Sequence, residues 1–218
     1  MLTRTTASIL KGFRRNDGDV FCSGNVSEVI SMLYTIIAGV NGCGKSSFTG
    51  AFSTYDKKLG TVIDTDSITA KIGGNKLLGG KEAVKRIDYC LENRLDFTQE
   101  TTLSGAKTLR TVMKARERGY DIRLYYIAVG SAEESVRRIK NRVARGGHDI
   151  PEETVNRRFK TRFSDLLKIL RYCDAAEFYD NENGYVKVGE YSNGKLSAFG
   201  EYKPQWFKEL IDISEKIW

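Results

Sequence analysis

The sequence lacks the features of a membrane-spanning protein and of a zinc protein. None of its 218 residues belongs to an uninterrupted apolar run of about 18, the length that a bilayer-crossing helix needs. The four cysteines, at positions 22, 43, 90 and 173, form no CxxC pair, and His148 is the single histidine. A structural zinc site and a disulfide framework are therefore not expected, and we expect a reduced, cytoplasmic protein.

The net charge of +7 is concentrated in one part of the chain. Residues 131–171 carry eleven Lys and Arg against six Asp and Glu, which is five of the seven excess positive charges. A concentrated basic excess indicates an anionic partner. Composition alone does not distinguish whether this partner is nucleic acid, a membrane surface or a phosphorylated small molecule.

The first 15 residues are basic and contain no acidic residue, which is weakly similar to a transit peptide. The simpler interpretation is a flexible or short helical leader. We divide the chain into a leader of uncertain structure at 1–31 and one folded domain at 32–218, which begins directly before the first predicted strand.

From residue 33 onward, strand and helix patterns alternate, and this alternation is typical of an α/β fold with a mostly parallel sheet. Strands are predicted at 33–38, 61–64, 95–99, 122–129 and 176–179. Helices are predicted at 45–54, 80–94, 106–118, 133–145, 151–171 and 209–218. Two further strands, at 186–190 and 195–199, are joined by a Ser-Asn-Gly turn and predict a C-terminal β-hairpin.

The segment from Gly39 to Ser46 matches the pattern GxxxxGK[ST] between a predicted strand and a predicted helix. Glycines let backbone N–H groups face phosphates, and the helix N-terminus adds positive potential. Lys45 is expected to reach the β- and γ-phosphates, and the Ser46 hydroxyl is expected to bind Mg²⁺. The predicted ATP-binding set is Gly39, Asn41, Gly42, Cys43, Gly44, Lys45, Ser46 and Ser47. Cys43 is either an oxidisable thiol or a small residue at a permissive loop position.

The class of nucleotide-binding protein follows from what surrounds this loop. The chain has no NKxD motif, which disfavours a GTPase, and no apolar run ending in Asp-Glu, which disfavours a motor ATPase. Instead, the second strand runs into Asp64-Thr65-Asp66 and the third into Gln99-Glu100-Thr101-Thr102. The carboxyl ends of parallel strands line the ligand crevice, where a carboxylate can accept the proton of an acceptor hydroxyl. The alternative is that these residues cap helices or support Mg²⁺ indirectly.

Four segments together resemble the zeta-toxin family of P-loop kinases, in particular its short chromosomal members. They are Gly39–Ser47, Asp64–Asp66, the ETTLSG motif at Glu100–Gly105, and Arg145–Pro151, which contains Gly-Gly-His. The resemblance covers about residues 33–183. It implies a three-layer P-loop kinase-like fold with a helical lid. It also implies transfer of the ATP γ-phosphate to the 3′-hydroxyl of the amino sugar in UDP-N-acetylglucosamine, and many members are toxins restrained by a protein antitoxin.

By position in the family motifs, Asp66 is similar to the general base, and Glu100 and Thr102 are similar to sugar-nucleotide contacts. Asp64 is assigned to the same substrate-binding set. The chain departs from the family in having Val40 where a proline is usual and Cys43 where a small hydroxyl residue is usual. It also partly lacks the long substrate-binding insertion of the larger toxins.

Arginines of residues 131–171 are candidates for stabilising the transferring phosphoryl group. Arg138, Arg142 and Arg145 are spaced to share a helix face, and Arg158 follows across the Gly146-Gly147 joint. This helix–Gly-Gly–helix arrangement resembles a kinase lid, so Arg145, Arg158 and Arg142 are the predicted catalytic arginines. The alternative is a solvated basic face. His148 is expected to make local hydrogen bonds at the joint rather than to act in catalysis.

The sequence as a whole predicts an ATP- and Mg²⁺-dependent phosphotransferase that acts on a hydroxyl of a sugar nucleotide. Its predicted partners are a small-molecule substrate and a protein antitoxin, with no membrane. One alternative is a non-toxic metabolite kinase with another acceptor. A second, of a different class, is a nucleotide-dependent nucleic-acid-binding module, which only the sequence pI of about 9.2 supports.

Overall fold

The central strand, β1 (Leu33–Ala38), is buried on both faces and pairs in parallel with β3 (Phe97–Thr101) and β4 (Asp121–Ala128). The computed structural model describes residues 31–55 and 59–217. Tyr34 and Ile36 of β1 pack into one hydrophobic core cluster, whereas Ile37 packs into another. This alternation follows from the two-residue period of a strand and separates the two faces of the sheet.

The sheet of the described residues has seven strands in the order β2-β3-β1-β4-β5-β6-β7. The outer parallel strands are β2 (Thr61–Asp64), beside β3, and β5 (Ala175–Asp180), beside β4. The antiparallel strands β6 (Val186–Ser192) and β7 (Lys195–Ala198) complete the edge. The chain therefore has the predicted mostly parallel sheet and C-terminal hairpin.

Seven helices are formed by the described residues. They are α1 (Lys45–Tyr55), α2 (Thr65–Lys71), α3 (Lys76–Glu92), α4 (Lys107–Glu117), α5 (Ala132–Val143), α6 (Glu152–Leu170) and α7 (Gln205–Ile217). Helix α1 covers one face of the sheet, where Phe48 and Phe52 pack beside Ile37. Helices α3, α4, α6 and α7 supply the buried side chains of the other face. The result is a three-layer α/β fold.

Helices α5 and α6 form the predicted lid. Val136 and Ile139 of α5 pack against Val155 of α6 in a small cluster separate from the two main core clusters. The turn between them includes Gly146, whose φ of +84° is a conformation that glycine adopts without strain. The second half of α6, with Phe163 and neighbouring leucines, belongs to the main core.

The structure has one helix that was not predicted and several element boundaries that differ from the prediction. Strand β3 runs from Phe97 to Thr101 rather than from 95 to 99, and its later end places Glu100 inside the strand. Helix α2 was not predicted, because a helix of seven residues gives too short a hydrophobic pattern. Helix α5 ends at Val143, two residues before the predicted end, and α7 begins at Gln205 rather than at 209.

The leader assigned to 1–31 lies outside the described residues except for Ser31, whose hydroxyl donates to Asp121 at 2.6 Å. Among the helices that the structure describes, none is long and apolar enough to cross a bilayer.

Gly189 in β6 lies directly under α7, which gives a test of the packing between the hairpin and this helix. A Cβ built at Gly189 would be 1.9 Å from the Phe207 ring. Gly189→Ala is therefore expected to lower the free energy of unfolding by about 2 kcal/mol, as overpacking of a core does. Denaturant unfolding followed by circular dichroism measures the change.

The control is Gly50→Ala in α1, where an added Cβ meets no atom within 4 Å. This substitution is expected to raise the free energy of unfolding by about 0.5–1 kcal/mol, because alanine favours the helix more than glycine does. Equal effects of the two substitutions would contradict the packing described for Gly189.

Candidate active site

A cavity of about 450 Å³ opens at the carboxyl ends of β1, β2 and β3. One end is lined by the loop from Asn41 to Ser47 and by residues of the lid. The other end lies between α3 and α4. The phosphate-binding loop and the space between α3 and α4 therefore belong to one cavity at the ends of the parallel strands.

The loop Gly39–Ser46 has the backbone of a phosphate-binding loop. Gly42 and Gly44 have φ angles of +77° and +101°, which residues with a side chain rarely adopt. A Cβ at Gly42 would lie 2.6 Å from the carbonyl oxygen of Ser135 in α5. Helix α1 follows at once, so its first N–H groups, which lack intrahelical acceptors, face the cavity end.

Lys45 and Ser46 begin α1, and both line the cavity. The Lys45 ammonium group donates to the carbonyl oxygens of Gly39 at 2.8 Å and Val40 at 3.0 Å, so its side chain lies over the loop. The Ser46 hydroxyl donates to a carboxylate oxygen of Glu100 at 2.9 Å. Ser47, the last residue of the predicted set, is exposed in the same turn.

Glu100 is buried at the end of β3 and is held by hydroxyl groups of α1. Its second carboxylate oxygen accepts from Thr49 at 2.6 Å. Burial raises the pKa of Glu100, and the nearby charge of Asp64 raises it further, while the hydrogen bonds from Thr49 and Ser46 lower it. Glu100, predicted to contact a sugar nucleotide, thus lies beside the serine of the phosphate-binding loop.

Asp64 and Asp66 lie where β2 runs into α2, and both line the cavity. Asp64 is the N-cap of α2, because its side chain accepts the N–H of Asp66 at 3.0 Å. The capping alternative considered for this pair therefore describes Asp64. Asp66 is exposed in the first turn of α2, with its carboxylate on the cavity wall.

Arg158 of α6 is the lid arginine that contacts the phosphate-binding loop. Its guanidinium group donates to the side-chain oxygen of Asn41 at 2.7 Å. Burial lowers the pKa of Arg158, and the charge of Asp66 opposes that shift. The structure thus brings a half-buried cation to the loop and within electrostatic reach of Asp66.

The arginines of α5 divide between two cavities. Arg138 and Arg142 line the main cavity, and both also line a second cavity of about 350 Å³ with Arg145. Arg145 lies beyond the end of α5 and does not line the main cavity, so the structure does not bring it to the phosphate-binding loop as predicted. Arg142 donates to the backbone oxygen of His148 at 2.6 Å, and the role expected of the His148 ring stays a prediction.

The ETTLSG motif forms the floor between the two ends of the cavity. The Thr102 hydroxyl, which lines the cavity, lies 2.7 Å from that of Ser104. Leu103 between them is buried with a φ of +60°, a strained conformation for leucine that turns the chain here. Thr101 supports the turn by accepting the N–H of Leu103 at 3.0 Å.

The far end of the cavity has two unlike walls. Helix α3 supplies a mainly apolar wall with Ala83, Val84 and Ile87, beside Gly80. Helix α4 supplies a polar wall with Lys107, Thr108 and Thr111. A Cβ at Gly80 would lie 3.7 Å from the Lys107 ammonium nitrogen, so this lysine reaches across the opening. Such an end suits a ligand with one apolar face and one anionic or hydroxyl-rich face.

Cys43 is fully buried within the loop. Burial raises the pKa of the Cys43 thiol, although Lys45 lowers it in part. Because reactive thiols are exposed and have lowered pKa values, the structure favours the small-residue interpretation over an oxidisable switch. Cys43, Cys90 and Cys173 are free thiols.

Comparisons with known proteins support the family resemblance that the sequence motifs indicate. The zeta toxin family model matches residues 81–184. An uncharacterized protein of Haemophilus influenzae is 32% identical over 126 residues, which cover 56% of this chain and 88% of that protein. The chain belongs to the zeta-toxin family, and its fold is that of a P-loop kinase.

Solved structures share this fold at low sequence identity. A chain of the PezAT chromosomal toxin–antitoxin system of Streptococcus pneumoniae superposes with a TM-score of 0.56 and 16% identity, over 97% of this chain and 92% of that one. A chain of the AvrRxo1-ORF1:AvrRxo1-ORF2 complex with ATP gives a TM-score of 0.57 and 15% identity, over 86% of this chain and 63% of that one.

Several cavity residues were not selected from the sequence. Arg138 was noted on the arginine face of α5 but not chosen, although it lines both cavities. Lys107, Thr108 and Thr111 belong to no motif, and their spacing on an exposed helix gives no signal of their own. The helical spacing of Ala83, Val84 and Ile87 indicated only a buried helix face.

The environment of Glu100 predicts a pH-dependent change in stability. Because its pKa in the folded chain is raised, the ionised carboxylate destabilises the folded state at neutral pH. This cost disappears as the pH falls through the folded and then the unfolded pKa. Glu100→Gln is therefore expected to raise the unfolding temperature of the metal-free protein at pH 7. This gain in unfolding temperature is expected to shrink as the pH is lowered to the range in which Glu100 of the unfolded chain is protonated.

Calorimetric unfolding at neutral and acidic pH tests this prediction. Glu82→Gln is the control, because the pKa of the partly exposed Glu82 is lowered by its hydrogen bond to Arg86, and this variant is not expected to gain stability. A Glu100→Gln protein that is less stable than the parent at pH 7 would contradict the assigned cost of burial.

Proposed function

We propose that the protein transfers the γ-phosphate of ATP, with Mg²⁺, to a hydroxyl group of a sugar nucleotide such as UDP-N-acetylglucosamine. The observation that carries the proposal is that two groups of residues line one cavity. One end is lined by the phosphate-binding loop, the Ser46–Glu100 pair, Asp66 and Arg158, and the other end is lined by α3 and α4. Family membership supports the reaction class.

In this proposal, the loop amides and Lys45 bind the β- and γ-phosphates. Lys45 needs only to exchange its two loop carbonyl acceptors for phosphate oxygens. Arg158, anchored on Asn41 beside the loop, neutralises charge that develops on the transferring group. Arg138 and Arg142, at the same end of the cavity, add positive potential.

The side chains present fit a magnesium ion. The Ser46 hydroxyl and the Glu100 carboxylate are oxygen donors that lie 2.9 Å apart at the start of α1, and oxygen is the donor that Mg²⁺ prefers. Among the described residues, no group of three or more His, Cys, Asp and Glu side chains is placed to hold a metal. When bound, the ion neutralises phosphate charge, and these two residues would hold it together with the phosphates of the substrate.

Asp66 is the proposed general base. Asp66 is exposed and lines the cavity. A hydroxyl group of an acceptor bound between α3 and α4 would give its proton to Asp66 as its oxygen attacks the γ-phosphorus atom, and the bond from that phosphorus to the β–γ bridging oxygen would break to release ADP. Asp64 fixes this residue by capping α2.

The acceptor is proposed to lie between α3 and α4, with Thr102 at the floor. The apolar wall suits one face of a sugar or base, and Lys107 suits a phosphate group of the acceptor. We further propose a cytoplasmic reaction and a protein antitoxin as a partner, on the strength of the family and of the structural likeness to a chain of the PezAT toxin–antitoxin system.

Incubation with labelled ATP and a panel of UDP-sugars, with product identification by mass, tests the function directly. Phosphorylation of a UDP-sugar supports the proposal, and phosphorylation of other metabolites alone indicates the metabolite kinase. Expression in a bacterial host tests toxicity. Growth arrest that Lys45→Ala reverses supports a toxin, whereas harmless expression of active protein contradicts one.

Asp66→Asn is expected to lower the rate of transfer at least about a hundredfold, because the amide accepts no proton, while ATP affinity is unchanged. Single-turnover kinetics and calorimetric ATP titration measure the two quantities. Lys45→Ala is the contrasting variant and is expected to weaken both. Undiminished transfer by Asp66→Asn would contradict the assignment of the base.

Lys107→Met is expected to raise the KM for an acceptor that carries a phosphate by about tenfold, because a hydrogen bond to a charged group is lost, with little change in the KM for ATP. Lys85→Met, an exposed lysine of α3 that does not line the cavity, is the control. Equal KM values for the acceptor in both variants would place the acceptor elsewhere.

A further inference from the structure

We propose that Asn181 and Tyr185, in the connection between β5 and β6, are positioning residues for the phosphate-binding backbone. The inference rests on the proposed binding of ATP at Gly39–Ser46. Neither residue belongs to the motifs from which the nucleotide site was predicted, and neither lines the cavity.

Both side chains donate hydrogen bonds to backbone carbonyl groups of the loop. The Asn181 amide nitrogen donates to the carbonyl oxygen of Cys43 at 2.8 Å. The Tyr185 hydroxyl donates to that of Gly44 at 2.7 Å. Asn181 and Tyr185 are only 9% and 3% exposed, so water competes little for these carbonyl groups.

The two bonds, together with the backbone bond from the Phe48 N–H to the Gly44 carbonyl at 3.0 Å, fix the direction of the next amides. In a planar trans peptide, the carbonyl of one residue and the N–H of the following residue point in opposite directions. The carbonyl groups of Cys43 and Gly44 face the β5–β6 connection, so the N–H groups of Gly44 and Lys45 face away from it. That is the direction required of amides that bind a phosphate group.

Close packing restricts the loop to this orientation. A Cβ at Gly44 would lie 2.4 Å from the Asn181 amide nitrogen and 2.8 Å from the Tyr185 hydroxyl oxygen. The Tyr185 ring also packs edge-on against Phe48 of α1, with 5.3 Å between the ring centroids. Burial raises the pKa of Tyr185 to about 12, so its hydroxyl remains a donor at neutral pH.

The β5–β6 connection is itself anchored on two sides. The backbone N–H of Asn181 donates to the carbonyl of Ala128 in β4 at 2.8 Å. The adjacent Asp180 is buried and accepts from the Trp206 indole of α7 at 2.8 Å. The side chains that hold the loop therefore have little freedom to follow it if it moves.

Tyr185→Phe and Asn181→Leu test the inference, since each removes a donor and keeps most of the side-chain volume. Each is expected to weaken binding of ATP and of inorganic tripolyphosphate by about three- to tenfold, the effect of one lost hydrogen bond. Isothermal titration on the full chain measures both affinities, and scanning calorimetry measures the melting temperature.

Tyr120→Phe is the matched control, because the Tyr120 hydroxyl also donates to backbone carbonyl groups. These are the carbonyl groups of Cys90 at 2.9 Å and Leu95 at 3.0 Å, and neither residue lines the cavity. It is expected to lower the melting temperature without changing either affinity. If Asn181 and Tyr185 only stabilised the fold, all three variants would have a lower melting temperature and every affinity would be unchanged.

Affinities that stay within about twofold of the parent in both Tyr185→Phe and Asn181→Leu would overturn the inference. If one variant does not fold, the other decides, because each tests a different carbonyl group. If the parent chain binds tripolyphosphate but not ATP, the result contradicts the proposed function but not this inference, since the loop amides would then still bind phosphate.

Discussion

The phosphate-binding backbone adopts its shape in a space that has no room for side chains at its glycines. A Cβ at Gly39 would lie 2.0 Å from the carbonyl oxygen of Ile127 in β4, one at Gly42 would meet α5, and one at Gly44 would meet the β5–β6 connection. Three separate parts of the chain therefore close on one loop. The sheet, the lid and the β5–β6 connection depend on one another at this point, because each defines one side of the same backbone turn.

Two oppositely charged side chains beside the loop, Glu100 and Arg158, have uncharged hydrogen-bond partners. Glu100 is buried with two hydroxyl donors and has a raised pKa, whereas Arg158 is half buried on a neutral amide and has a lowered pKa. Each ion carries a desolvation cost that an ion of opposite sign would relieve. The Mg²⁺ and the phosphate groups proposed to bind beside Glu100 and Arg158 would meet this requirement.

Features encoded in contiguous residues were predicted well, and features that join distant residues were not. The phosphate-binding loop was predicted because its determinants lie within Gly39–Ser46, and the parallel sheet because strands and helices alternate. Arg145 was placed on a helix that in fact ends at Val143, where the N–H of Gly146 already bonds back to the Val143 carbonyl. The bond from Ser46 to Glu100 spans 54 positions, and no local pattern indicates such a pair.

The order of the chain has a consequence for synthesis on the ribosome. The glycine-rich loop belongs to the first elements of the domain to be made, but its carbonyl groups are held by Asn181 and Tyr185, and Asp180 is held by Trp206. A nascent chain that has not yet reached these positions contains the whole nucleotide motif without the contacts that orient it. These contacts of the phosphate-binding loop therefore form only after the β5–β6 connection and α7 have been synthesised.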